Sequence, residues 1–172
     1  MSYWLPDSTV LAEEYPGHPD ADEARRKVRR FLNAGIAAFL DLTRPEDGLK
    51  PYAGFLFEEA VSRSLEVLHA RHPVRDMGIP SIGDMAAILD RLDEWMGQGR
   101  SAYVHCWRGI GRTGTVVGCL LVRRGMDGQE ALATVQALYE TTGHQAFDPW
   151  SPQTEAQRQF VVDWADSESQ GR

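Results

Sequence analysis

The chain has 172 residues, 42% hydrophobic and 25% charged, with 25 acidic residues against 18 Lys and Arg, a formal charge of −7, and two cysteines. That length and composition predict one soluble domain over 1–172, large enough to bury a core. Two cysteines cannot build a disulfide framework, and an acidic balance is wrong for nucleic-acid binding, which needs a basic surface facing phosphates.

The opening MSYWLPDST lacks a basic stretch followed by an apolar run, so no secretory leader is expected. The most apolar stretch, Thr115 to Val122, is too short to span a bilayer, and a reducing cytoplasm is the expected setting. Thr9 to Ala12 is expected as a short edge strand. From Asp20 to Ala34, Ala21, Ala24, Val28 and Phe31/Leu32 fall on one stripe that Gly35 stops, which predicts a helix. Within it, Arg25 to Arg30 (RRKVRR) is expected to be a solvated helix face. Ile36 to Leu42 is a continuous apolar run, suited to a strand covered on both faces. Phe57, Val61, Leu65 and Leu68 mark a second helix, and His72 to Asp76 a short strand running into the turn DMGIPS. Met85, Ile88/Leu89, Leu92 and Trp95 mark a third helix closed by GQGR, with Asp84 expected to cap it.

SAYVHC reads as the next strand, followed by a helix from about Arg112 to Arg124 whose middle, TVVGCLLV, is apolar all round and therefore central. Asp127 and Glu130 resemble a capping box opening a further helix with Ala131, Val135 and Leu138 inward. Ser151 and Pro152 read as the start of a last helix ending near Trp164. Strands alternating with helices predict an α/β fold with a central, mostly parallel sheet flanked by helices. In such sheets ligands gather outside the carboxyl ends of the strands, where Asp41–Thr43, Asp76 and Cys106 all fall.

VHCWRGIGRTGT, Val104 to Thr115, combines a cysteine, a tight glycine-containing loop and an arginine opening a helix. Gly109 and Gly111 free the backbone of Trp107, Arg108 and Ile110 to turn its N–H groups inward, and the helix N-terminus adds its dipole, so the loop is an anion cradle. Arg112 can grip two oxygens of a tetrahedral anion at once. The same positive field favours a thiolate over a thiol, which makes Cys106 a candidate nucleophile.

HCWRGIGRTG resembles the signature of the cysteine-dependent protein tyrosine phosphatases: His-Cys, five residues, Arg, then Ser or Thr. The short chain resembles the compact, atypical dual-specificity branch. The resemblance implies a protein-tyrosine-phosphatase-like fold and a cysteinyl-phosphate mechanism. In it Cys106 attacks phosphorus, Arg112 holds the equatorial oxygens and the Thr113 hydroxyl stabilises the departing thiolate. His105 orients the loop. The absence of a Gly-Lys-Ser/Thr ending excludes a P-loop NTPase, and the His-Cys start fits phosphatases better than sulfurtransferases.

Ester cleavage also needs a proton donor to the leaving oxygen. Asp76, on the turn RDMGIPS, lies where similar phosphatases carry their acid, although Val74 and Arg75 precede it in place of Trp-Pro. On the last helix, counting back by four from Phe160/Val161 places Gln157 and Gln153 inward. QTEAQRQF resembles the glutamine-bearing loop that positions the hydrolytic water in tyrosine phosphatases, which implies that role for Gln153 with Gln157 as its neighbour. Cys119 is expected in the core, out of reach of Cys106. Arg44, Lys50, Tyr52, Arg108, His144, Phe147 and Trp150 lie in loops that could rim the pocket. Five histidines without ligand spacing give no metal site, and no metal or cofactor is expected.

The expected activity is hydrolysis of phosphotyrosine, and of phosphoserine or phosphothreonine, in proteins. An inositol phosphate, a phosphoinositide or another small phosphate ester is the alternative substrate, and a non-catalytic phosphate-binding module a third reading. Nothing in the sequence fixes an oligomeric state or a pathway.

Overall fold

In the computed structural model, which describes residues 2–6, 9–146 and 148–170, five strands form one sheet. They are β1 (Tyr3–Trp4), β2 (Val10–Glu13), β3 (Ile36–Asp41), β4 (Leu68–Arg71) and β5 (Ser101–His105), in the order β1-β2-β5-β3-β4. All pairings are parallel except β1 with β2. The helices are α1 (Ala21–Asn33), α2 (Ala53–Ser62), α3 (Ile82–Gly97), α4 (Gly111–Arg123), α5 (Gly128–Glu140), α6 (Glu155–Val162) and α7 (Trp164–Gln170).

Successive strand residues point to opposite faces, and both faces are covered. Val10, Ala12, Ala38, Leu40, Ala102 and Val104 pack with residues of α3, α4, α5 and α6. Leu11, Phe39 and Tyr103 pack with α1 and α2. That double cover is why Ile36 to Leu42 reads as an unbroken apolar run. α4 is buried from Gly111 to Val122. Each Val or Leu buried there contributes roughly 1.5–3 kcal/mol over an exposed one.

α1 begins where the Asp20 side chain accepts from the N–H groups of Asp22 and Glu23, and ends at Gly35, with φ 80°. Its basic run is neutralised side chain by side chain: Arg25 by Glu58, Arg26 by Glu23, Lys27 by Glu14, Arg29 by Glu59 and Arg30 by Glu13. Asp127 caps α5 by accepting from Gln129 and Glu130 N–H.

Several expectations are corrected. The Thr9–Ala12 strand is β2, an inner strand, because β1 covers its outer side. The α2 stripe is turned: Phe57, Val61 and Leu65 are exposed, while Leu56, Glu59 and Ala60 are buried and Leu68 belongs to β4. Glu59 faces inward because Arg25, Arg29 and Arg63 surround it. The strand expected at His72–Asp76 is β4, displaced to Leu68–Arg71; Pro73, which has no N–H to donate, lies in the segment beyond it. Ser81, not Asp84, caps α3; its hydroxyl accepts the Asp84 N–H.

The last helix does not start at Ser151–Pro152, a cis peptide. Thr154 caps it in a capping box with Gln157, and Asp163 divides it into α6 and α7.

Candidate active site

The loop from Cys106 to Ile110 joins the carboxyl end of β5 to the N-terminus of α4. Gly109 has φ 71°, and a Cβ there would stand 2.5 Å from the carbonyl carbon of Glu13, so the loop lies directly on the end of β2. Trp107 O accepts from the Tyr15 N–H at 2.7 Å on the same side. On the other side the Ser151 hydroxyl donates to Ile110 O at 2.9 Å. The loop is therefore held from both flanks before any substrate arrives.

Above it opens a cleft of about 230 Å³ lined by Asp76, Met77, Cys106, Trp107, Arg108, Arg112 and Gln153. Cys106 and Cys119 are free thiols, and Cys119 is in the core, where burial pushes its thiol up. The Arg112 guanidinium is divided. Nη1 donates to Asp47 Oδ2 at 2.6 Å and to Val74 O at 3.1 Å. Nε and Nη2 have no hydrogen-bond partner among the described residues, although Asp76 Oδ1 lies 3.1 Å from Nη2 as an ion pair. Burial opposes the Arg112 charge, but Cys106, Asp47 and Asp76 outweigh it and hold the group more firmly protonated than usual. The two donors left over are what a tetrahedral anion requires. Thr113 Oγ1 is likewise buried and without a partner.

His105 is fully enclosed. Its Nδ1 is 3.2 Å from Cys106 O and its Nε2 2.7 Å from the Tyr52 hydroxyl. A carbonyl can only accept, so Nδ1 carries the proton and Tyr52 donates to Nε2. Burial pushes the His105 pKa down to about 4, despite Asp41 Oδ1 at 3.9 Å, so the ring is neutral near pH 7. Burial also pushes the Tyr52 hydroxyl well up, keeping it a donor. Asp41 accepts from Thr43 N and Oγ1 through one oxygen and from Arg71 Nε and Nη2 through the other. Burial works to raise the Asp41 pKa, but the charge of His105 in the acid range where it is protonated, together with the hydrogen bonds from Thr43 and Arg71, overcomes it and holds the carboxyl below its usual range.

Asp76 lies on a turn in which the Gly78 N–H bonds Arg75 O and Met77 adopts φ 59°, an uncommon conformation for a side chain of that size. Gln153 precedes α6 rather than lying on it. It lines the cleft, donates to Asp148 Oδ2 at 2.7 Å, and its Oε1 would stand 2.6 Å from a Cβ on Gly111. Gln157 is not in the cleft lining. Fully buried, it donates to Gly78 O at 3.0 Å and so straps the Asp76 turn to α6.

Of the loop residues expected at the rim, Arg108 lines the cleft, with its guanidinium 5.6 Å from the Trp107 ring. Tyr52 is buried beneath the loop, while Arg44, Lys50 and Trp150 are outside the lining. Phe147 and the side chain of His144 lie outside the described residues. Sequence reasoning missed Asp47, Tyr52 as a partner of His105, and Met77 in the cleft wall. Asp47 could have been found, since RPEDG follows the carboxyl end of β3, where ligand-facing loops lie.

The family described as Swiss Army Knife protein, DSP-PTPase phosphatase domain, matches residues 17–161. The chain is 27% identical over 143 residues to the mouse protein tyrosine phosphatase domain-containing protein 1, covering 79% of this chain and 19% of the relative. It is 31% identical over 159 residues to the Arabidopsis thaliana phosphatidylinositol 3,4,5-trisphosphate 3-phosphatase and protein-tyrosine-phosphatase PTEN1, covering 91% of this chain and 36% of the relative. The chain thus spans only a minor part of the length of these relatives. Its fold is that of kinase associated phosphatase, solved with serine at the catalytic-site cysteine. The TM-score is 0.75 at 17% identity, covering 98% of this chain and 96% of that one. Among the described residues no helix is long and apolar enough to cross a membrane.

Proposed function

The chain belongs to the DSP-PTPase phosphatase domain family, and from that premise we propose that it hydrolyses phosphotyrosine, and phosphoserine and phosphothreonine, in proteins through a cysteinyl-phosphate intermediate. The observation that carries this reading is the divided guanidinium of Arg112. With Nη1 tied to Asp47 and Val74, the Nε and Nη2 donors are fixed in direction beside Cys106.

Phosphate oxygens take Nε, Nη2 and the inward N–H groups of Trp107, Arg108, Gly109, Ile110 and Gly111, helped by the N-terminus of α4. The Cys106 sulfur attacks phosphorus in line and the P–O ester bond breaks. Asp76, displaced from Nη2 by the incoming anion, takes up a proton from solvent and passes it to the leaving oxygen as the ester bond breaks. In the second step a water held by Gln153 gives its proton back to Asp76 and attacks phosphorus. The P–S bond breaks, and the Thr113 hydroxyl donates to the departing thiolate. His105, neutral and held by Tyr52, fixes the start of the loop.

The cleft wall favours a protein substrate. Met77 and Trp107 are half exposed there, and Arg108 is the one cation lining it besides Arg112, among the described residues. An inositol polyphosphate would ask for more cations around the cradle. The phosphoinositide named for the Arabidopsis relative is the specific ground for the second substrate class.

The test is metal-free phosphate release by wild-type protein and Cys106→Ser. The panel holds phosphotyrosine, phosphoserine and phosphothreonine peptides, an aryl phosphate, inositol phosphates and phosphoinositides. Peptide turnover lost in the variant is the expected result. Preference for the inositol compounds moves the substrate to the second class. Turnover that survives Cys106→Ser overturns the mechanism, and phosphopeptide binding without turnover marks a phosphate-binding module.

A further inference from the structure

Gln153 lines the cleft with a side chain whose two ends differ: an amide nitrogen that donates and an oxygen that accepts. Which end faces the cleft decides how the amide can hold a water. Asp148 makes that choice. Its Oδ2 lies 2.7 Å from the Gln153 side-chain nitrogen, and a carboxylate can only accept, so Nε2 is the end turned to Asp148. Oε1 is therefore turned the other way, over the start of α4, where a Cβ on Gly111 would meet it at 2.6 Å.

Asp148 is itself held in place. Its Oδ1 accepts the Trp150 N–H at 3.1 Å, and its backbone carbonyl accepts the Tyr139 hydroxyl of α5 at 2.7 Å. The chain between Asp148 and Gln153 is tied down as well. Gln136 of α5 donates to Pro149 O and accepts the Ser151 N–H, both at 3.0 Å. The Ser151 hydroxyl in turn donates to Ile110 O in the loop that carries Cys106. The carboxylate thus keeps a fixed position relative to the nucleophile's loop. Asp148 is not among the residues lining the cleft, so it acts there through Gln153.

We propose that Asp148 is a positioning residue for the second chemical step: by holding Gln153 Nε2 it presents Oε1, an acceptor, to the attacking water. The proposal rests on the reading of Cys106 as the nucleophile and of Gln153 as the residue that holds the water. In that step the water oxygen bonds to phosphorus and the P–S bond breaks, its electron pair leaving with the Cys106 sulfur. One water hydrogen passes to Asp76. The other stays on the oxygen that becomes a phosphate hydroxyl, and Gln153 Oε1 accepts a hydrogen bond from it. With both hydrogens held, the lone pairs of the water face phosphorus. An amide turned the other way would donate to one of those lone pairs and oppose the attack.

Asp148→Asn keeps the size of the side chain but lets its NH2 face Gln153, which turns the Gln153 amide over. Wild type and variant are compared in rapid-mixing and steady-state kinetics with an aryl phosphate. Acid-quenched protein is mapped by mass spectrometry for phosphate on Cys106. kcat/KM reports formation of the cysteinyl phosphate and should hold, while kcat falls about tenfold and KM falls with it. The phosphorylated fraction of Cys106 should rise. In a Gln153→Ala background, Asp148→Asn should change nothing further. Unchanged kcat with an unchanged phosphorylated fraction overturns the proposal. So does a loss that persists in the Gln153→Ala background, or a parallel fall of kcat and kcat/KM, the mark of a merely structural role. Wild-type protein that neither releases phosphate nor carries it on Cys106 overturns the phosphatase reading and this proposal with it. Wild-type turnover that Asp148→Asn leaves intact overturns the proposal alone.

Discussion

Asp47 Oδ2 and Arg112 Nη1 are 2.6 Å apart, and that ion pair sets the direction in which the rest of the guanidinium faces. Asp47 stands on a single 3-10 turn, Pro45–Asp47, where the same oxygen also accepts the Arg44 N–H at 3.2 Å. Removing it by Asp47→Ala should leave Arg112 charged but free to rotate about its last torsions. The expected result is a fall of about 10- to 100-fold in kcat/KM, the usual scale for a lost orienting partner. Vanadate inhibition should weaken in parallel, and Asp47→Glu should recover part of both. Steady-state kinetics with vanadate titration checks this; an unaltered kcat/KM would show that the backbone carbonyls of Val74 and Leu42 suffice to orient the group.

Asp76→Asn should lower kcat by about 10²- to 10⁴-fold, the range for a lost general acid. The loss should be largest for alkyl phosphates and smallest for aryl phosphates with acidic phenols, which leave without help. Because the variant also removes a carboxylate from Arg112 Nη2, inorganic phosphate should bind more tightly. A leaving-group series read against phosphate inhibition tests both halves, and equal loss across the series would assign the acid elsewhere.

His105 links the site to stability below neutral pH. Its pKa is about 4 in the folded chain, held there by burial, against an ordinary value of 6.5. Between those values the unfolded chain binds the extra proton and the folded chain does not. Stability is therefore full above about pH 6.5 and is lost as pH falls toward 4. The displacement corresponds to a few kcal/mol at most. Tm followed from pH 7 to pH 4.5 should drop in wild type and drop less in His105→Asn, measured from that variant's own value at pH 7. Equal slopes would show that other groups carry the acid sensitivity.

Gly109→Ala should destabilise the chain and disable it together. Its φ of 71° disfavours any side chain, and the added Cβ would meet the backbone of Glu13 at 2.5 Å. A loss of about 1–3 kcal/mol from the strained backbone alone is expected, with kcat reduced because the loop must lift off β2. Urea unfolding and turnover measured on the same preparation check it. Full activity at wild-type stability would mean that the loop is not seated as described.

The sheet strands with strong patterns are legible from sequence: Ile36 to Leu42 and SAYVHC are apolar because they are covered on both sides, and their shortness and aromatic content separate them from the buried helix run TVVGCLLV. The amphipathic helices α1 and α3 announced themselves by spacing and end signals. α2 did not, because its buried face carries Glu59, a carboxylate admitted by three arginines, while Phe57 and Val61 point outward. Hydrophobic counting cannot anticipate an ion pair from another helix. β4 is four residues of mixed character at the sheet edge, too short for a period to emerge. At the site, Cys106 and Arg112 share one loop and could be read together. Asp47 and Tyr52 come from two other segments, and only the folded chain places them around that loop. Gln157 misled for a related reason: helical spacing marked it as buried but could not tell a cleft from the back of the Asp76 turn.

The division of the Arg112 guanidinium also governs what the cleft excludes. Its outward donors are aimed before binding, and they meet oxygens arranged at tetrahedral angles whatever atom lies at the centre. Sulfate, tungstate and free phosphate satisfy that geometry as well as a phosphate ester does. On the proposed mechanism, selection among them falls to the bond that Cys106 would form and break, so inhibition by simple oxyanions, the product included, is expected of the recognition device itself.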